Sequence, residues 1–205
     1  GESCALVTDA GMPGISDPGE DIVRLCAGRN IPVTAVPGPC AAMTALTLSG
    51  LATGRFAFEG FLTVNKGERS RRLGKLKSDD RTLIFYEAPH KLRATLNDLY
   101  EAFGDRRISL CRELTKLNEE IFRTTLKGAV ETYGEREPRG EYVLIVEGES
   151  ASEAASDAFW SDMSVREHVE HYTAAGMSRM DAVKACAKDR GVPKNEIYRA
   201  VNVEK

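Results

Sequence analysis

Up to Gly148 the chain alternates short apolar runs with helix-length amphipathic stretches. Ala5–Thr8 and Val33–Val36 read as buried-type strands, and Pro18–Arg29 and Cys40–Ser49 as helices. Pro18 suits a first helical position, and Gly28 and Gly50 suit helix ends. Further strands are expected at Phe56–Phe61, Thr82–Tyr86, Arg107–Arg112, Glu120–Thr125 and Tyr142–Glu147, with helices at Gly67–Lys77, Pro89–Phe103 and Lys127–Tyr133. Strands alternating with helices predict a parallel sheet in the first block. In the second block Arg107–Arg112 and Glu120–Thr125 stand too close for a crossover helix, so that sheet must be mixed. The small, acidic stretch 148–158 (GESASEAASDA) has linker composition. Beyond it, Val165–Ala175, Arg179–Arg190 and Lys194–Val201 read as three short helices. The expected fold class is α/β: a parallel-sheet lobe over 1–54, a mixed-sheet lobe over 55–148, a linker over 149–163 and a small helical domain over 164–205. The helix Cys40–Ser49 is apolar on nearly every face, so burial all round is expected, by its own lobe or by a partner subunit.

Charge adds a constraint. Lysines and arginines number 28 against 31 acidic residues, a net charge of −3, so no global field draws the chain to nucleic acid or membrane. An anionic partner must be met by a local patch. One exists: KGERSRRLGKLK (Lys66–Lys77) carries Lys66, Arg69, Arg71, Arg72, Lys75 and Lys77 against a single acid. Such a run is either a solvated helix face or a phosphate-contacting one. The five cysteines lack any C-x-x-C pair and read as free thiols of a reducing compartment. No apolar stretch approaches the roughly 20 residues of a membrane span. A cytoplasmic location with no membrane partner is the expectation.

Two glycine-rich breaks, VTDAGMPGISDPG (Val7–Gly19) and VPGPCAAMTALTLSG (Val36–Gly50), fall at expected carboxyl ends of strands. Open α/β sheets bind ligands along that edge. Neither break is G-x-G-x-x-G or a P-loop, and no lysine is placed to reach a phosphate. Tight turns and a small ligand pressed against bare backbone both fit these residues. His168 and His171 stand at i, i+3 with no third ligand nearby, which predicts surface helix residues and no metal site. The tail helices fit a helix-turn-helix and a small packing domain equally.

TDAGMPGISDPG, VPGPCAAMTAL, LIFYEAPHK, CRELTKLNEE and GEYVLIVEG occur in order between Ala5 and Gly148. Together they resemble the tetrapyrrole methylase superfamily of S-adenosylmethionine (SAM) enzymes. Within it they are similar to the branch that 2′-O-methylates a cytidine of small-subunit ribosomal RNA. SRMDAVKACAKDRGVPKNEIYRAV is similar to that branch's C-terminal helical domain. The resemblance implies SAM folded into a cleft between two lobes, held largely by main-chain groups. Gly11, Met12, Pro13 and Ile15 would line one side, with Pro37, Cys40 and Ala41 beneath. Tyr86, Glu87, Leu114, Thr115, Glu141 and Tyr142 would close over the adenosine. The resemblance also implies a homodimer and a ribosomal RNA substrate, the anionic partner that a phosphate-contacting face of the basic run would meet. It further implies that the family's opening strand, glycine turn and acidic helix–loop are absent from this sequence. A 2′-hydroxyl is a weak nucleophile, so a base or charge stabiliser is expected. Candidates by type are Glu87, His90 and Glu113, with Asp9 and Lys91 behind them. A relative that methylates a tetrapyrrole or another small acceptor, and a form that binds RNA or a partner without catalysis, remain alternatives.

Overall fold

The computed structural model describes residues 2–149, 159–160 and 162–202. Contacts divide the chain into two compact units, 1–149 and 150–205.

In the first unit the elements run α1 (Glu20–Gly28), α2 (Ala41–Ser49), β1 (Phe56–Phe61), α3 (Lys66–Leu76), β2 (Thr82–Glu87), α4 (Pro89–Phe103), β3 (Arg107–Arg112), β4 (Glu120–Thr125), α5 (Leu126–Glu135) and β5 (Tyr142–Val146). The strands form one sheet in the order β1-β2-β5-β3-β4. β1 and β2 are parallel, joined through α3, and the other neighbours pair antiparallel. The sheet is mixed, as the short β3–β4 spacing requires.

The strand pleat sorts the core into two layers. Leu83 and Phe85 of β2, Leu144 and Val146 of β5, and Ile108 and Leu110 of β3 pack with Leu92, Leu96, Leu99 and Phe103 of α4 and Leu126 of α5. Their alternates, Ile84, Cys111, Val143 and Ile145, pack with Ala42, Ala45 and Leu46 of α2. β5 is buried along its whole length, which is why Tyr-Val-Leu-Ile-Val shows no polar alternation.

The first fifty residues depart from expectation. Ala5–Thr8 and Val33–Val36 are irregular, and Val7 and Val36 are 83% and 86% exposed. A strand needs a neighbour for its N–H and C=O groups, and among the described residues neither run has one. The predicted parallel sheet over 1–54 is therefore not formed, and α1 carries no buried residue. Nor is α2 enclosed. It packs one face on the sheet through Ala42, Ala45, Leu46 and Ser49, while Met43 remains 38% exposed. Most of the expected linker, residues 150–158 and 161, lies outside the described residues.

The second unit holds α6 (Val165–Ala174), α7 (Arg179–Asp189) and α8 (Lys194–Asn202). Ser164 and Glu167 form a reciprocal capping box at the start of α6, and Ser178 caps α7. Here His168 corrects the sequence reading: its side chain is fully buried, whereas His171 is exposed. Trp160 stacks on the His168 ring at 5.4 Å, and the Nδ1 atom lies 3.2 Å from Arg190 Nε and 3.4 Å from Cys186 Sγ. An Arg190 N–H can only donate to an unprotonated Nδ1, so the imidazole proton belongs on Nε2, 3.3 Å from Asp189 Oδ2. Burial pushes the His168 pKa below its ordinary value, and the Arg190 charge acts in the same direction. The sequence signal was present: Val165, His168, Val169 and Tyr172 follow the i, i+3, i+4, i+7 stripe of a buried helix face. Among the described residues no His, Cys, Asp and Glu group is arranged to hold a metal.

Candidate active site

A cavity of about 700 Å³ opens at the edge of the first unit's sheet where β2 and β3 end and β5 begins. The two glycine-rich breaks form its opposite wall. From the first break Gly11, Met12 and Ile15 line it, and from the second Cys40 and Ala41. Tyr86, Leu114, Thr115, Glu141 and Tyr142 line it from the sheet side. Pro13 and Pro37 are not part of the lining; Pro39 is.

The two breaks are held together by backbone. The Met12 N–H donates to the Pro39 carbonyl at 3.0 Å. Gly11 sits at φ +77°, and a Cβ there would lie 2.6 Å from that same carbonyl oxygen. Loop-to-loop contact thus requires the glycine before any ligand is considered. Cys40 precedes α2 without a side-chain cap, and the Tyr86 hydroxyl takes over by accepting from Ala42 N–H at 3.1 Å. This ties the end of β2 to the start of α2. Burial raises the Tyr86 pKa, so the phenol stays protonated at neutral pH.

The β3 end turns through two non-glycine residues at positive φ, Glu113 (+50°) and Thr115 (+64°). Strain of that kind persists only where its surroundings enforce it. Glu113 Oε1 accepts from the Glu141 N–H at 2.9 Å and from Lys116 Nζ at 3.1 Å. Those partners, the backbone N–H foremost, hold the Glu113 carboxyl below the usual range. Gly140 lies against it: a Cβ there would fall 2.5 Å from Glu113 Cγ.

The candidate bases separate on their partners. Glu87 is only 3% exposed; its carboxylate accepts from Ala88 N–H at 2.9 Å and from the Thr95 hydroxyl. Glu113 is committed to Glu141 and Lys116, and a carboxylate held below its usual range is a weaker proton acceptor. His90 and Asp9 are exposed and line the cavity, while Lys91 does not line it. His90 occupies the first turn of α4, just after Pro89. Asp9, Asp17, Glu87, Glu113 and Glu141 line the cavity against one lysine, Lys116, so the lining favours a cationic group. The α2 and α4 N-termini, near Ala41 and Pro89, add the positive ends of two helix dipoles, suited to a carboxylate.

The basic run divides. Lys66, Arg71, Lys75 and Lys77 are exposed. Arg69 is not an RNA-facing residue: it is 8% exposed, ion-paired with Asp98 at 2.5 Å and donating to Thr95 Oγ1 at 2.8 Å. Arg72 is likewise engaged, donating to the Glu59 carboxylate at 3.0 and 2.9 Å and to the Glu59 carbonyl at 2.5 Å. Arg69, Leu73 and Leu76 share the buried stripe of α3, at i, i+4, i+7 spacing. Sequence reasoning also missed Phe61 and Lys116, whose places depend on a strand irregularity and on the 113–116 turn.

The family model for tetrapyrrole (corrin/porphyrin) methylases matches residues 1–130. A ribosomal RNA small subunit methyltransferase I of Halalkalibacterium halodurans is 46% identical over 204 residues, covering 100% of this chain and 71% of the relative. The protein of the same name from Bacillus subtilis is 43% identical over 205 residues, covering 100% and 70%. Among solved structures, the methyltransferase CobJ superposes with a TM-score of 0.51 at 20% identity, covering 67% of this chain and 62% of that one.

Proposed function

The chain belongs to the tetrapyrrole methylase family, and from that membership we propose that it is a SAM-dependent methyltransferase acting on small-subunit ribosomal RNA, at the ribose 2′-hydroxyl of a cytidine. The observation that carries this reading is that relatives named for small-subunit rRNA methylation match the chain end to end. The cavity supports the donor. Its acidic lining suits a sulfonium, its helix N-termini suit a carboxylate, and Gly11 and Ala41 in its lining carry no long side chain that would keep a ligand from the backbone. SAM supplies an electrophilic methyl group. The protein's work is chiefly positional: effective molarity from fixed geometry is worth up to about 7–11 kcal/mol. The stitched breaks and the strained Glu113–Thr115 turn give rigid walls for that task. An imidazole nitrogen of His90, exposed at the mouth, takes the proton from the 2′-hydroxyl. Glu87 and Glu113 act as wall groups that fix the β2–α4 and β3–β4 turns through their hydrogen bonds. Acting on ribosomal RNA, such an enzyme works in the cytoplasm. Among the described residues no helix is long and apolar enough to cross a membrane.

The test is direct. Bare small ribosomal subunits are incubated with the protein and methyl-labelled SAM, and the RNA is digested to nucleosides. Label in 2′-O-methylcytidine is expected. Label in a methylated base, or transfer only to a tetrapyrrole acceptor, rejects the reading.

A two-fold dimer belongs to the same proposal. Ile22, Val23 and Leu25 of α1 and Met43 of α2 are 44%, 48%, 51% and 38% exposed, apolar surface suited to a second copy. An obligate homodimer buries on the order of 2,000 Å² or more. Light scattering at micromolar concentration should give twice the 22.4 kDa of the chain, and a stable monomer rejects the dimer.

A further inference from the structure

The β1 strand, Phe56-Ala57-Phe58-Glu59-Gly60-Phe61, ends at the cavity. In a regular strand Phe58 and Phe61, three apart, would point to opposite faces. They do not, because the pairing slips. Phe58 pairs with Ile84, Gly60 with Phe85 and Phe61 with Tyr86, leaving Glu59 as the extra residue of a bulge. Gly60 takes φ +62°, which few other residues tolerate. The slip puts both phenylalanines beside Tyr86, with ring centroids at 5.1 Å for Phe58 and 5.6 Å for Phe61, in edge-to-face geometry. Phe58 joins the core layer under α2, but Phe61 stays 54% exposed in the cavity wall. Arg72 fixes the bulge, donating to the carbonyl and carboxylate of the unpaired Glu59. Bulges beside functional sites re-aim a side chain. What this one presents is an aromatic ring whose position is set by Tyr86 while more than half its surface is open.

We propose that Phe61 is the stacking face for the acceptor nucleobase. The inference rests on the RNA-acceptor reading above and deepens it. An unpaired base lifted out of its stack is commonly bound on an aromatic side chain. Such stacking tolerates any base, because each has a π-face. The ring lies at the rim, one short loop, Leu62–Asn65, before the exposed Lys66 that opens α3. A nucleotide lying across that loop has an aromatic plane for its base and cations for its phosphates. The lining by Cys40, Ala41 and Leu114 is left to the donor.

Phe61→Ala and Phe61→Trp test this, with the intact chain and bare small subunits. For the alanine variant the RNA concentration giving half-maximal methylation should rise roughly 5- to 100-fold, the range of one lost base stack. The SAM affinity measured by calorimetry should stay within twofold, and the melting temperature should hold. Phe61→Trp should restore the RNA dependence, and its added fluorescence, measured against the parent protein, should be quenched by RNA and not by SAM. A larger loss of SAM affinity than of RNA affinity overturns the proposal, as does unchanged RNA dependence in the alanine variant. A parent protein that binds RNA but never methylates it defeats the functional reading alone, since the quenching is read without turnover and still decides Phe61.

Discussion

Ala41→Trp is expected to weaken SAM binding at least 100-fold while leaving the fold intact. Ala41 opens α2, is exposed and lines the cavity. Its helix packs on the sheet through Ala42, Ala45 and Leu46, whereas Ala41 itself is exposed. The added indole therefore enters the space meant for the donor and displaces no core atom. A 100-fold loss corresponds to about 2.7–2.8 kcal/mol, well within what blocking a preformed pocket removes. Ala45→Trp is the informative contrast. Ala45 is fully buried against the sheet, so overpacking there should lower the melting temperature by several degrees, with binding lost only through unfolding. Calorimetry on Ala41→Trp separates the outcomes. Affinity retained within tenfold would remove the donor from this cavity.

The sheet and helices from Phe56 onward were legible because local pattern and final environment agree. β2 and β5 are short apolar runs bounded by polar turns, and they are buried on both faces. α3 and α4 show helical stripes that coincide with their buried positions. The runs at Ala5–Thr8 and Val33–Val36 carry the same strand signal, yet a strand is a property of pairing, and pairing is not local. Their exposure is what an apolar run looks like without a neighbour. In the cavity, the positions implied by resemblance came together wherever short motifs fix the backbone, as at Gly11–Met12 and Cys40–Ala41. Reasons were harder to read than positions. Gly11 is glycine because Pro39 crowds it, and Glu87 is satisfied by Thr95 before it meets any substrate. Phe61 was illegible, since nothing in FAFEGF announces that a bulge at Glu59 turns the last ring to the Tyr86 face.

Charge count alone does not describe α3. Two of its arginines are structural, and they serve the site from behind. Arg72 completes the unpaired Glu59 of β1, and Arg69 reaches Thr95, which in turn donates to Glu87 at the start of the β2–α4 turn. The helix therefore has one face that organises the cavity and another that is free to meet a polyanion.

That division predicts two different failures from one helix. Lys66→Glu, Arg71→Glu and Lys75→Glu together should weaken binding to small subunits at least tenfold. The dependence of log K on log salt should become shallower by about 2, at roughly 0.7 per lost phosphate contact to single-stranded RNA. These side chains are exposed, so the melting temperature should hold within a degree or two. Arg69→Met should do the reverse. It strands the Asp98 carboxylate and removes the donor behind Thr95 and Glu87, a partly buried network whose loss costs about 2–4 kcal/mol. For a chain of this size that lowers the melting temperature by about 4–16 °C, while the salt slope of the remaining folded protein is unchanged. Thermal melts and salt titrations on the two variants decide between these outcomes. If Arg69→Met flattened the salt slope and left the melt untouched, Arg69 would be an RNA contact after all, and the division of α3 into a buried and a free face would fall.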